Sequence, residues 1–212
     1  MEQELTAREA LSIRIRESLI VACGDLLVEG PIDAITITSI VEKAGVAKGS
    51  FYNHFPDKET LAAEVAKEIR GEVEARIAEA NKDETDPVRK MANGMCSHVQ
   101  LTVTDLKKAT IMLRGHQVAT TGDYPLNRNI QAHVDECVKL GRIRKSCRKT
   151  AILQILGSVY FTCLRVIEDK LSPRDAVDLC TGVFTVMLYG FGVEEKEAKK
   201  IVSEAARKLL EV

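Results

Sequence analysis

The sequence predicts an all-α protein: a small N-terminal helix-turn-helix domain, residues 1–57, followed by a larger helical body, residues 58–212. Three observations carry this. Apolar residues recur at three- and four-residue spacing along most of the chain. No segment alternates apolar and polar residues as a half-buried strand would, and glycine, proline and short polar clusters cut the chain into helix-length pieces. With 212 residues, 45% of them hydrophobic, there is enough apolar material for a sizeable core.

From Ala7 to Glu29, the residues Leu11, Ile15, Leu19, Cys23 and Leu26 fall on one helical face, and Gly30-Pro31 ends the helix. A short helix follows from Ile37 to Ala44, with Thr36 as N-cap and Ile37, Ile40 and Val41 facing inward. Gly45 breaks it. A second short helix, Ala47 to His54, carries Phe51 inward. Pro56 stops that helix and Asp57 caps the next. Two short helices across a glycine turn form a helix-turn-helix. From Lys58 a stripe of Leu61, Val65, Ile69, Val73 and Ile77 runs for about five turns, a length suited to a strut between domains. After the polar break Lys82–Pro87, helices are expected at 88–105, 107–119, 125–140, 148–169 and 173–189. Thr120–Asp123 and Lys170–Ser172 are breaks between them. A last amphipathic helix, 194–210, places Ile201, Ala205 and Leu209 at a spacing of four.

The formal net charge of -1 does not point to nucleic acid, so a DNA-binding reading must come from a local motif. The first five residues are acidic and lead into an amphipathic pattern, not into a basic segment and an apolar core as in an export signal. The most apolar stretch, Ile152 to Ile167, contains Gln154, Ser158, Thr162 and Arg165 and reads as too short and too polar to cross a bilayer. Six cysteines are scattered without a Cys-x-x-Cys pair, as reduced thiols in a cytosol would be. The expectation is a cytoplasmic protein with no membrane partner. There is no Gly-rich phosphate loop, Gly-x-Ser-x-Gly elbow or His-Glu-x-x-His helix, so neither an enzyme nor a cofactor is expected.

The stretch from Ile37 to Leu61 combines Ala44-Gly45-Val46 at the turn, Lys48-Gly49-Ser50 opening the second helix, Tyr52-Asn53-His54-Phe55, and an Asp57-Lys58-Glu59 helix start. It resembles the DNA-binding signature of TetR-family repressors. A recognition helix enters the major groove with its leading residues toward base edges. Lys48 can donate to guanine O6 or N7, Gly49 lets the backbone come close, and Ser50 can read a base or a phosphate. The resemblance implies that Tyr52 and His54 donate to phosphates and that Asn53 faces DNA. It also implies that Lys58 makes a phosphate contact at its helix N-terminus and that Thr36 and Thr38 do the same from the preceding helix. An alternative for Tyr52 and His54 is packing between the first and fourth helices. Two features depart from an easy fit. Residues 1–60 hold six basic side chains against ten acidic ones, and Ala47, where the family often has Ser or Thr, cannot cap the recognition helix.

One recognition helix offers too little contact for a specific site, so the motif implies a homodimer on a pseudo-palindromic double-stranded operator. By resemblance, the helices at 148–169 and 173–189 form a four-helix bundle across the dimer. Ile155, Val159, Cys163, Val183 and Met187 would lie in the interface, with Gly157 and Gly182 permitting close approach. The other reading of these residues is a thick monomer core. A pocket for a small-molecule inducer is expected between Val88 and Leu164, walled by Met91, Met95, Met112, His116, Phe161 and Leu164. The aromatic content of 4% and the absence of Trp favour an aliphatic or acyl-type ligand over a flat cation. Cys96, His98, His116, His133 and Cys137 leave a metal sensor open, and Cys137 or Cys147 a redox sensor. A helical adaptor that keeps the fold without binding DNA is a further alternative.

Overall fold

The computed structural model describes residues 6–114 and 127–211. Among the described residues there are ten α-helices and no strand: α1 (Ala7–Glu29), α2 (Ile37–Ala44), α3 (Lys48–Tyr52), α4 (Lys58–Ala80), α5 (Pro87–Thr104), α6 (Leu106–Arg114), α7 (Arg128–Lys139), α8 (Ala151–Glu168), α9 (Pro173–Phe191) and α10 (Glu195–Leu210). They form two compact units. One holds the chain up to Gly71 together with the residues of α6 from Thr110, and the other holds Glu72–Ala109 and the chain from α7 onward. The division falls inside α4, whereas the sequence-level boundary lies at its N-cap, residue 57.

In the first unit, α1 begins with a reciprocal cap. Thr6 Oγ1 accepts from the Glu9 amide at 3.3 Å, and the Glu9 carboxylate accepts from the Thr6 amide at 2.9 Å. The buried residues of α1 are Leu19, Ala22, Cys23, Gly24 and Leu27, so the inward face forms only beyond the second turn; Leu11, expected inside, is 58% exposed. The last turn of α1 has no basic residue of its own. Arg114 of α6 supplies the cation instead, donating to the carbonyls of Leu27 and Val28 at 3.2 and 2.6 Å.

In the second unit α5 packs against α7, α8, α9 and α10, and α9 packs against α8 and α10. The core is made by Val88, Ala92, Cys96 and Val99 of α5, Cys180, Phe184, Leu188 and Phe191 of α9, and Ala198, Ile201, Ala205 and Leu209 of α10. α9 starts on Ser172, whose hydroxyl accepts from the Asp175 amide at 3.2 Å, followed by Pro173 at the first helical position. It runs two residues past the expected Tyr189, because the left-handed stop is Gly192 (φ 104°). A Cβ at Gly192 would also lie 2.8 Å from Arg144 Cγ, so glycine is required there twice over. α8 begins at Ala151, not at Arg148, because Lys145–Cys147 form a 3-10 turn first. The expected start of α7 at Pro125 lies outside the described residues.

α8 corrects one sequence expectation. Its 18 residues have a mean hydropathy of 1.4, long and apolar enough by length and composition to cross a membrane. Here it lies against α5, α7 and α9 as a helix of the body.

A single arginine ties three elements of this unit. Arg142 donates to Asp86 at 2.7 and 3.3 Å and to Glu197 of α10 at 2.8 Å, while Asp86 caps α5 through the Val88 amide at 2.9 Å. Burial works to raise the Asp86 pKa, but the Arg142 and Val88 hydrogen bonds outweigh it and hold the carboxyl below its ordinary range. A group with a depressed folded pKa stabilises the fold above its unfolded value, and that contribution is lost as pH falls through the folded value. Asp86→Asn keeps the cap and removes the charge. It should cost about 1–2 kcal/mol at pH 7 in urea unfolding, with the gap to the wild type closing as the pH is taken below about 4.

Candidate nucleic-acid interface

The local sequence dictates the geometry from Thr36 to Asp57. Thr36 Oγ1 accepts from the Ser39 amide at 3.0 Å and Ser39 Oγ accepts from the Thr36 amide at 3.2 Å, which starts α2 at the expected residue. Ile40 and Val41 are buried. Gly45 ends α2 with φ 67° and ψ 32°, its amide and that of Val46 bonded back to Glu42 and Val41. Any other residue would be strained in this left-handed turn.

The N-cap of α3 is Ala47, which makes no side-chain bond; only its carbonyl serves the helix, accepting from the Ser50 amide at 2.9 Å. α3 is five residues long, shorter than the expected 47–54. The chain tightens after Tyr52, where the amides of His54 and Phe55 both bond to the Phe51 carbonyl, and Pro56 disfavours helix at the residue before it. Phe51 and Phe55 are buried with ring centres 6.2 Å apart. Asp57 caps α4 through the Thr60 amide at 2.6 Å, and the hydrogen bonds of the Thr60 side chain and then of its amide hold the carboxyl below the usual range.

On this scaffold Thr36, Thr38, Lys48, Gly49, Tyr52 and Asn53 are exposed, and Ser50, His54 and Lys58 are half-buried. Tyr52 meets Phe51 edge-on at 5.4 Å yet is 55% exposed, so it is presented at the surface and not packed away between helices. A Cβ on Gly49 would meet no atom within 4 Å; internal packing does not demand glycine there.

The cations divide sharply. Lys43 pairs with Glu29 at 3.1 Å; Arg16 pairs with Glu64 at 2.8 Å and lies 5.3 Å from the centre of the Phe55 ring. Lys58, expected on a phosphate, instead donates to the carbonyls of Ile32, Asp33 and Ile35 at 2.9, 3.3 and 2.7 Å. An ammonium has three donors, so a phosphate contact would require it to release one of these. Lys58 is thus first a clamp on the loop that leads into α2, a role invisible to sequence reading because its acceptors are backbone atoms 23 to 26 residues away. Lys48 makes no hydrogen bond or ion pair among the described residues.

The residues expected to wall a pocket differ in burial. Met91 and Met95 are buried in the second unit and Met112 in the first, and Leu164 is half-buried. Phe161 is 67% exposed on the face of α8 opposite Cys163 and Val166, so it lines no enclosed cavity of this chain. His116 lies outside the described residues. An open cleft of about 480 Å³ is bounded by Arg14, Glu17, Val21, Asp25 and Lys43, and includes none of them.

The residues expected in a dimer interface also differ in burial. Ile155, Cys163 and Met187 are buried within the chain's own body, and Val159 and Val183 are half-buried. The apolar side chains left facing outward are Leu153 and Phe161 on α8 and Val186 and Tyr189 on α9. Both helices are apolar on two faces. Among the described residues, no three His, Cys, Asp or Glu side chains are placed to hold a metal ion. Burial pushes the Cys137 thiol up to about 12, away from the reactive thiolate.

Residues 19–65 match the profile of the family described as bacterial regulatory proteins, tetR family. Over that segment the chain is similar to the tetR family. The HTH-type transcriptional repressor DhaR of Mycobacterium sp. (strain GP1) is 30% identical over 80 residues, which is 37% of this chain and 40% of that repressor's length. Two solved structures share the fold across both units. RolR in complex with resorcinol has a TM-score of 0.65 at 22% identity, covering 92% of this chain and 95% of RolR. FadR from Bacillus subtilis in complex with stearoyl-CoA has a TM-score of 0.62 at 21% identity, covering 82% and 98%. The tetR-family profile spans the second half of α1 through the start of α4, the segment whose caps and turn are described above.

The clamp separates two kinds of lysine in this first unit. Lys58→Ala strands three carbonyls and should lower stability by about 2 kcal/mol in chemical unfolding, whereas Lys48→Ala should change stability by less than about 0.5 kcal/mol.

Proposed function

We propose that this tetR-family protein is a DNA-binding transcriptional regulator that represses by occupying a pseudo-palindromic operator as a homodimer and leaves it on binding a small molecule. The observation that carries the reading is the unpartnered Lys48 at the head of α3, beside exposed Tyr52 and Asn53, while Lys43, Arg16 and Lys58 are held by protein groups. Lys48 reads a guanine edge in the major groove, and Tyr52, Asn53 and His54 position the helix on the backbone with Thr36, Thr38 and Ser50.

The name of DhaR supports repression as the sign of action, and the ligands held by RolR and FadR support a small-molecule response. The outward apolar face of α8 and α9 is the surface a second copy would cover, with Gly157 and Gly182 allowing the helices to approach closely. The inducer is aliphatic or acyl-type and is met by Met91 and Met95, in keeping with a chain of 4% aromatic content. The signal runs through α4, whose residues up to Gly71 belong to the first unit and those from Glu72 to the second. Ligand in the body shifts this helix and changes the separation of the two recognition helices. The protein acts in the cytoplasm and without catalysis.

Gel-shift titration of the purified protein against DNA from its own upstream region, at two salt concentrations, tests this. The wild type should bind selectively, and Lys48→Ala and Tyr52→Ala should each weaken binding at least about tenfold without loss of helical content. A well-folded protein with no selective binding would favour the adaptor reading, which the excess of acids in residues 1–60 supports.

A further inference from the structure

α4 is built largely from strong helix formers. Its 23 residues include no proline and one glycine, Gly71, set between Arg70 and Glu72. Glycine inside a helix weakens it relative to alanine, because the unfolded backbone has more freedom to lose. Two other helical glycines have neighbours that use the space. A Cβ at Gly24 of α1 would lie 3.6 Å from Val65 Cγ1 and 3.7 Å from Ile111 Cδ1, and at Gly94 of α5 it would lie 3.9 Å from Ile77 Cγ2. Gly71 has no such neighbour. It is exposed, its φ is not left-handed, and an added Cβ would meet no atom within 4 Å.

Gly71 also stands at a division. The part of α4 that belongs to the first compact unit ends at this residue, and the part in the second begins at Glu72. Each half of the helix is fastened to its own unit close to that point. On one side Ile69 is buried and Glu64 pairs with Arg16 of α1 at 2.8 Å. On the other, Val73 is fully buried, Glu72 pairs with Lys108 of α6 at 2.7 Å, and the Ala80 carbonyl accepts from Asn93 of α5 at 3.3 Å. The weakest helix former in α4 therefore stands where the helix passes from one unit to the other.

We propose that Gly71 is a hinge in α4, at which the helix bends when the body changes conformation. The proposal rests on the reading that α4 carries the signal to the helix-turn-helix. A rigid strut would move the recognition helix by turning as a whole. A jointed helix keeps each half fastened to its unit, while the turn at Gly71 absorbs the change in backbone angles. The hydrogen bonds across this joint are those from the amides of residues 72–75 to the carbonyls of residues 68–71. A turn weakened by glycine opens more readily than the turns beside it.

Hydrogen exchange of the full chain, resolved to single amides, tests the hinge in the wild type, in Gly71→Ala and in Gly71→Ala/Ala75→Gly. The double variant moves the glycine one turn along, to another exposed position within the half fastened to the second unit. In the wild type the amides of residues 72–75 should be less protected than the turns on either side, and Gly71→Ala should raise their protection roughly fivefold. Even protection along α4 in the wild type, or no rise in Gly71→Ala, overturns the proposal. Operator binding then separates a working hinge from a merely local weakness of the helix. The selected operator is compared with the same operator carrying one extra base pair between its half-sites. The loss of affinity on the longer site should be at least about tenfold greater for Gly71→Ala and for the double variant than for the wild type. Equal tolerance of the extra base pair in all three overturns the hinge. Failure of the repressor reading has a different signature: no selective binding by the wild type, with the exchange pattern at residues 72–75 intact.

Discussion

A helix of five residues has almost no internal hydrogen bonding with which to hold its own shape, so the geometry of α3 must be imposed from outside. Two things impose it. Phe51, fully buried, nails the helix to the unit's core, and the left-handed Gly45 turn fixes the direction in which the chain leaves α2. Ala47 contributes no capping bond, which increases the dependence on both. The presentation of Lys48, Gly49, Tyr52 and Asn53 follows from these constraints. In the proposed nucleic-acid interface, the side chains that meet bases would have their positions set by aromatic packing.

Electrostatics completes the picture. The N-terminal region carries more acid than base, and three of its six cations act inside the protein: Arg16 braces α1 to α4, Lys43 braces α2 to α1, and Lys58 holds three loop carbonyls. That leaves Lys48 as the cation free to meet DNA at the head of α3, which favours selectivity over general attraction.

Local chemistry made much of the fold legible. The starts of α1, α2 and α4 are set by Thr6, Thr36 and Asp57, and the end of α2 by Gly45; for α2 and α4 the cap or turn residue stands in the sequence beside the helix it limits. The end of α3 was misplaced because competing bonds to the Phe51 carbonyl tighten the chain two residues early. Exposure was legible where it follows from the helix register, as for Lys48 and Asn53. It was not where a partner is remote in sequence, as for the carbonyls that hold Lys58, or where a helix is apolar on two faces, as for Phe161 against Cys163.

The central claim is that the head of α3 reads the major groove. Guanine-methylation interference on the operator complex tests it most directly, because the modification blocks N7 on the major-groove edge. The account predicts interference in two half-sites whose centres lie about 10 base pairs, or a multiple of that, apart. Interference absent from the major groove, or confined to a single site, would contradict it.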